Sequence, residues 1–523
     1  MRLLTIPLAL ALAVLTAAYP QQEFNNIQGQ QQRPFTSVHH SPHANDGYAR
    51  FDNEQVLRVE VSSMEQLKKL EATVEASDLN VDLWSNLRIG SVDVRVPASK
   101  LNDFKASISS PSTVMIPNLQ DLVPEQAPAL DLMTAPRNWN FTDDSFWLKY
   151  HDFATLNEFT EAMVKQFPKL VSRTSIGYTH EGREVFGMTI HGYKDDDDDD
   201  DDDDDEDEKE AGLMEELRSW WSWLSGSKDK HKHKHNKLKH KLKHSKQKHS
   251  KSKKNGKPRK PRKHPKAIVI HGGQHAREWI GPAVVSYIAK SLILGYGNNK
   301  KITRLVDQFE FTIIPVLNAD GYAYTWERNR MWRKNRQPTS IPFCPGIDPN
   351  RNWGYMWNTG GSSGNPCSEA YHGPSAFAAK EPKMVADYIL NKDNVVAYID
   401  FHAYSQLWMT PFGSDCSKTP KDNEDIIEAA TVAAKALKDV HGTKFAVGSV
   451  CNIIYQASGG SLDWTYGAAG VKYSFAVELR DQGRHGFMLP EEEIMPSSEE
   501  TFAGVLHLAN FIRKREKQWG YMV

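Results

Sequence analysis

The chain has 523 residues, 39% of them hydrophobic and 10% aromatic, which is enough for two domains and a substantial core. A formal net charge of -2 excludes a uniformly basic nucleic-acid binder, so no nucleic-acid partner is expected. The near-neutral balance conceals two blocks of opposite charge within one segment.

The start, MRLLTIPLALALAVLTAAYP, has a basic residue and then a short apolar run that ends in small residues. It reads as a secretory signal peptide over residues 1–18, cleaved near Ala18. Its roughly 15 apolar residues are too few to span a bilayer. The protein is therefore expected to be secreted, in a compartment where Cys344, Cys367, Cys416 and Cys451 can pair as two disulfides. Residues 19–50, rich in Gln, Asn, Pro and His, read as a flexible arm.

Residues 51–123 carry a compact pattern. QVLRVEV predicts a strand, SMEQLKKLEATVEAS an amphipathic helix, VDLW and SVDVRV strands, SKLNDFKASI a helix and TVMIP a strand. The order βαββαβ fits a small α+β open sandwich with its helices on one face. A connector containing prolines, residues 124–144, includes the glycosylation acceptor Asn140 in NFT.

Residues 145–523 alternate strands and helices. HDFATLNEFTEAMVKQF predicts a helix, followed by strands at VSRTSIGYT, VFGMTIHGY, AIVIHG, FEFTIIPVLN, NVVAYIDFHAYSQ and VKYSFAVELR. SEETFAGVLHLANFIRKR predicts a closing helix. The class is α/β, with a largely buried, mixed but mostly parallel sheet flanked by helices, and ligands are expected at the strand ends. One segment, about 195–265, breaks the pattern. It holds an unbroken run from Asp195 to Asp205, three tryptophans and a Lys/His-rich tract, too charged to build a core. It reads as a disordered insertion between two neighbouring strands. Its basic half is suited to an anionic cell-wall or membrane surface.

The chemistry concentrates in HGGQHAREWI, at the mouth of a strand and just before a helix. His275 and Glu278 sit three apart, and His402 ends another apolar strand. Two histidines and a carboxylate form the donor set of a catalytic zinc site that keeps one position for water. His271 competes as a ligand, but its place at the strand exit suits a supporting role.

Other motifs join this one in order: NRMWRKNR with Arg330 and Arg333, DPNRNW with Asn350 and Arg351, IIYQASGGSLDW with Tyr455, and FAVELRD with Glu478. Together they resemble the zinc metallocarboxypeptidases of the pancreatic A/B type, and the βαββαβ segment resembles that family's activation domain. The resemblance implies one Zn2+ per catalytic domain, held by His275, Glu278 and His402. It implies Glu478 as general base and Arg333 as the group polarising the scissile carbonyl. Arg277 then contacts substrate, Asn350 and Arg351 grip the terminal carboxylate, and Tyr455 closes over it. Cys344 pairs with Cys367, and Cys416 with Cys451.

The same resemblance makes Leu462 the floor of the side-chain pocket, with Met409, Gly413, Val450, Ala457 and Ala476 around it. Basic-specific members carry aspartate where Leu462 stands, so bulky aliphatic and aromatic C-terminal residues are the expected preference. Asp400 departs from a position usually small and polar, and two residues before His402 it could face the same side. A monomeric zymogen is implied, with peptide substrates and an activating protease that cuts around Val123 to Phe141, where Arg137 is one candidate. Secreted fungal members resemble this chain but lack the general base. Here Glu478 occupies that position, which favours an active enzyme over a silent binding protein.

Overall fold

The computed structural model describes residues 47–75, 79–85, 87–123, 139–192 and 265–518. The expected leader, nearly all of the arm, Arg137 and the charged insertion lie outside these described residues.

The first described unit follows the expected order. It runs β1 (Gln55–Val61), α1 (Met64–Glu75), β2 (Asp82–Leu83), β3 (Gly90–Val96), α2 (Leu101–Ser107) and β4 (Ser112–Ile116). Its sheet has the order β2-β3-β1-β4, with antiparallel pairing throughout. Side chains on a strand alternate between faces, and this chain uses both. Leu57, Val59, Val61, Val92, Val94 and Val96 pack with Leu70 of α1 and Phe104 of α2. On the opposite face, Val56 and Ile116 join the large core of the remaining chain.

The larger unit contains α3 (Phe153–Gln166), β5 (Val171–Tyr178), β6 (Glu184–Ile190), β7 (Lys266–Gly272), α4 (Ile280–Gly295), α5 (Lys300–Gln308) and β8 (Phe309–Ile314). It continues with α6 (Ala319–Glu327), α7 (Lys380–Leu390), β9 (Val395–His402), β10 (Leu407–Thr410), α8 (Asn423–His441), β11 (Ala446–Ser449) and the single turn α9 (Val450–Ile453). It closes with α10 (Ser461–Gly467), β12 (Tyr473–Glu478) and α11 (Ile494–Gln518). The eight strands form one sheet in the order β11-β10-β12-β9-β7-β8-β6-β5. Four pairings are parallel: β11/β10, β12/β9, β9/β7 and β7/β8. Three are antiparallel, β10/β12, β8/β6 and β6/β5, so the sheet is mixed as expected.

Alternation also sorts the strand residues of this sheet. Ile268, Ile270, Ile399, Phe401, Phe475 and Val477 face the core shared with α4, α8 and α11. Val269 and Tyr398 face the smaller cluster with Val385, Ala386 and Ile389 of α7 and Trp464 of α10. By the same alternation His271, Asp400, His402, Ala476 and Glu478 point to this second side. The parallel strands β7, β8, β9 and β12 end along one edge, and the polar residues gather there.

The structure corrects the expected strand limits. β8 stops at Ile314, because Pro315 has no N–H to give a ladder, and Asn318 caps α6 by accepting from Gly321 N. β6 stops at Ile190, after which Gly192 N bonds to Val306 O. The insertion was expected between neighbouring strands, but β6 and β7 both pair with β8 rather than with each other.

Candidate metal centre and substrate cleft

The turn after β7 is shaped by glycine. Gly273 has φ +64°, and a Cβ at Gly272 would lie 2.9 Å from the Gly281 carbonyl carbon, at the start of α4. This close approach carries the chain directly from the strand into the segment with His275 and Glu278. Both are buried, at 4% and 3% exposure.

Their donor atoms meet those of His402. His275 Nδ1 lies 2.9 Å from Glu278 Oε1, and His402 Nδ1 lies 3.0 Å from Glu278 Oε2. The two Nδ1 atoms are 3.1 Å apart. Tetrahedral zinc with bonds of about 2.0–2.1 Å separates its ligand atoms by roughly 3.3 Å, so the donor set fits that ion in type and spacing. On the far side of His275, Nε2 lies 3.0 Å from Asp348 Oδ1. A carboxylate there keeps the proton on Nε2 and leaves the Nδ1 lone pair for a metal. His271 is not in this set, for its Nε2 lies 2.5 Å from Tyr398 Oη.

Arg333 reaches the same place. Its Nη2 donates to Asp348 Oδ2 at 2.9 Å, and its Nη1 lies 3.7 Å from Glu278 Oε1. Burial works against ionised Asp348, but the Arg333 guanidinium holds its carboxyl well below the usual range. Glu478 ends β12 in register with His402. Its Oε2 is buried without a hydrogen-bond partner among the described residues. With the protein's own groups alone, burial and then the charge of Glu278 push this carboxyl up to about 8. The charge of a bound dication works the other way and favours the ionised base near neutral pH.

A cationic recess adjoins the centre. Arg351 Nη2 donates to Tyr455 Oη at 2.6 Å, its Nε to Gly361 O at 3.0 Å and its Nη1 to Asn350 O at 2.8 Å. Asn350 is fixed from both ends, its N donating to Asp348 Oδ1 and its Oδ1 accepting from Ser461 N, each at 2.9 Å.

Beyond the recess, Met409, Leu462 and Ala476 form one apolar cluster with Leu407 and Val450. Gly413 abuts Val450 and Ala457, so the expected pocket residues come together. Asp463 turns away and accepts from Gly413 N at 2.9 Å and Ser414 N at 2.7 Å. Asp400 is fully buried behind His402, with Oδ2 at 2.9 Å from His402 Nε2. The disulfides are Cys344–Cys367 and Cys416–Cys451, and Asn140 is exposed.

Arg277 is taken by the small domain. Its Nη1 donates to Asp82 Oδ2 at 2.6 Å and its Nη2 to Leu83 O at 3.1 Å. Trp84 packs edge-on against Phe487 at 5.1 Å, and Asp93 Oδ2 accepts from Tyr404 Oη at 3.0 Å. Below them the buried Arg330 stacks on Trp279 and donates to Arg277 O and Phe487 O. The sequence reading missed Asp348, Asp82 and Trp84. Asp348 was findable, since a zinc histidine ordinarily carries a carboxylate or carbonyl on its other nitrogen and DPNRNW was already singled out.

The family described as zinc carboxypeptidase matches residues 156–504, and that described as carboxypeptidase activation peptide matches residues 57–126. Mouse carboxypeptidase A2 is 34% identical over 88% of this chain and 94% of its own. The inactive metallocarboxypeptidase ecm14 of Talaromyces stipitatus is 30% identical over 93% of this chain and 77% of its own. The crystal structure of thrombin activatable fibrinolysis inhibitor covers 89% of this chain and all of its own, with a TM-score of 0.67 and 29% identity.

Proposed function

The chain belongs to the zinc carboxypeptidase family, and from that membership we propose that it is a secreted, active exopeptidase made as a zymogen. It removes single residues from the C-termini of peptides and proteins and prefers bulky aliphatic or aromatic ones.

The observation that carries the catalytic reading is Glu478 Oε2, buried without a hydrogen-bond partner among the described residues, on a carboxyl beside His402 and Glu278. When held by His275, Glu278 and His402, zinc supplies Lewis acidity and lowers the pKa of a water. Glu478 takes a proton from the attacking water and returns it to the departing amine. Arg333 donates to the carbonyl oxygen as negative charge grows there. Asn350, Arg351 and Tyr455 bind the terminal carboxylate, which restricts cleavage to the last peptide bond.

The pocket supports the apolar preference. Leu462, Met409 and Ala476 offer no charge, Asp463 accepts from Gly413 N and Ser414 N, and Asp400 turns Oδ2 to His402. Latency is supported by the small domain, because Asp82 occupies a cation assigned to substrate. His275, Glu278, His402 and Arg277 are buried in the uncut chain.

A catalytically silent carboxypeptidase-like protein is the second reading, favoured by the name of the Talaromyces relative. Glu478 separates the two. The deciding test is protein activated by limited proteolysis, incubated with peptides that differ only at the C-terminal residue. Release of Phe and Leu supports the first reading; no release from any peptide, with zinc bound, supports the second.

A further inference from the structure

We infer that Asp400 is a positioning residue for the metal, acting through His402, and takes no part in side-chain selection. The inference rests on the zinc-site reading above and adds a residue to it.

Asp400 and His402 lie two apart on β9, so both side chains point to the same face. Asp400 Oδ2 is 2.9 Å from His402 Nε2. The same oxygen accepts from Gln274 Nε2 at 2.6 Å and from Ser461 Oγ at 2.7 Å. Gln274 is itself anchored, its Oε1 accepting from Trp353 Nε1 at 3.1 Å. The carboxylate therefore has a fixed orientation set by the turn after β7, by β9 and by the start of α10 together.

His402 Nε2 has a second neighbour, Asn350 Nδ2 at 3.3 Å. An amide N–H cannot pair with a ring N–H. The carboxylate is nearer and only accepts, so Nε2 carries the proton and gives it to Asp400. The Nδ1 lone pair then faces Glu278 and His275. This arrangement fixes the tautomer and ring angle of His402 and makes Nδ1 a stronger donor to a cation.

The two histidine ligands are thus backed differently. Asp348, behind His275, shares its charge with Arg333. Asp400, behind His402, has a histidine, an amide and a hydroxyl around it, with the His271 ring at 3.3 Å from its other oxygen. Of these neighbours none carries a permanent positive charge. A buried carboxylate in such company is costly unless a cation lies close. The metal held by His402 is that cation.

The test uses the full-length chain and measures zinc affinity by chelator competition for the natural sequence, Asp400→Asn and Asp400→Ser. Asparagine keeps the shape without the charge, and serine removes the carboxylate without crowding the core. Both substitutions should weaken zinc binding about 10–100-fold. After activation by limited proteolysis, the relative release of C-terminal Phe and Lys should be unchanged. If either folded variant binds zinc as tightly as the natural sequence, the positioning role is overturned. A swing toward C-terminal Lys would overturn it in favour of a pocket role. Failure of the natural sequence to bind one zinc would instead overturn the metal-site reading on which this rests. Melting of the metal-free proteins identifies a variant that does not fold, and the other then decides the matter.

Discussion

His402 and Glu478 are register partners on adjacent parallel strands, β9 and β12. One is a proposed metal ligand and the other the proposed base. Their separation is therefore set by the ladder between two strands, each buried over nearly its whole length. A base mounted this way needs no loop movement to reach a water beside the metal.

Glu478→Gln preserves shape but cannot take a proton. It should lower turnover by roughly 10²–10⁴-fold, the contribution of a positioned general base. Zinc content should stay near one per chain, whereas His275→Ala should lose the metal. Near-normal turnover by Glu478→Gln would sink the mechanism.

Asp82→Ala should loosen the small domain. Asp82 and Arg277 form a buried pair, and removing one member of such a pair typically costs about 3–5 kcal/mol because a charge is left uncompensated. The uncut variant should hydrolyse peptides faster than the uncut natural chain, while the two cleaved enzymes behave alike. Equal rates before cleavage would show that Asp82 does not maintain latency.

Much of this was legible beforehand because strand alternation, glycine turns and charged residues at strand ends leave local marks. QVLRVEV and AIVIHG announce themselves by β-branched residues, and HGGQHAREWI by its density of ligand types. The edge pair β10 and β11 went unread. LWMT and AVGS are four residues each and become strands only by pairing with β12 and with each other. Asp400 was visible as a departure, but its partners Gln274 and Ser461 come from distant segments, so its direction could not be read locally. The Asp82–Arg277 contact joins residues 195 apart and belongs to domain docking, which no local pattern records.

The pocket makes a separate prediction. Leu462→Asp should place a carboxylate among Met409, Ala476 and Leu407 and raise cleavage of C-terminal Lys and Arg relative to Phe by at least tenfold. The natural sequence should show the reverse order. A natural preference for Lys or Arg would contradict the assigned pocket.

Glu381 should make stability depend on pH. It is fully buried, its Oε2 accepts from Asn335 at 2.8 Å, and burial pushes its carboxyl from 4.5 up to about 7. A carboxyl raised in the folded state stabilises when protonated. That contribution is complete below pH 4.5 and is lost as pH rises through 7. A shift of this size corresponds to at most about 3 kcal/mol. Glu381→Gln cannot ionise, so it should gain stability over the natural chain at pH 8 relative to pH 5. Denaturant melts at both pH values test this, and an unchanged difference between the two proteins would refute it.

The charged insertion should be dispensable for catalysis. It leaves after β6 and returns into β7, and both strands flank β8 at the same end, where Ile190 pairs with Phe311 and Lys266 with Phe309. Two strand spacings, about 10 Å, separate the flanking strands. A flexible linker of about eight Gly/Ser residues has an end-to-end distance of roughly 15 Å and can close that gap. Replacing residues 195–263 in this way shortens the loop about eightfold. In the simple loop-closure limit this stabilises the fold by about 2 kcal/mol. The insertion joins the sheet at the start of β7, and the ligands follow its other end, with seven strand residues between. At about 3.3 Å per residue the attachment lies roughly 20 Å from the metal centre. Peptide cleavage should therefore be unchanged in the shortened protein. Any retention of the natural chain on anionic cell-wall or membrane surfaces should disappear with it; such retention is expected to strengthen below about pH 6.5, as the histidines of KHKHKHNKLKHKLKH gain charge, and to weaken with salt. Loss of peptide cleavage with the fold and zinc intact would make the insertion part of the working enzyme.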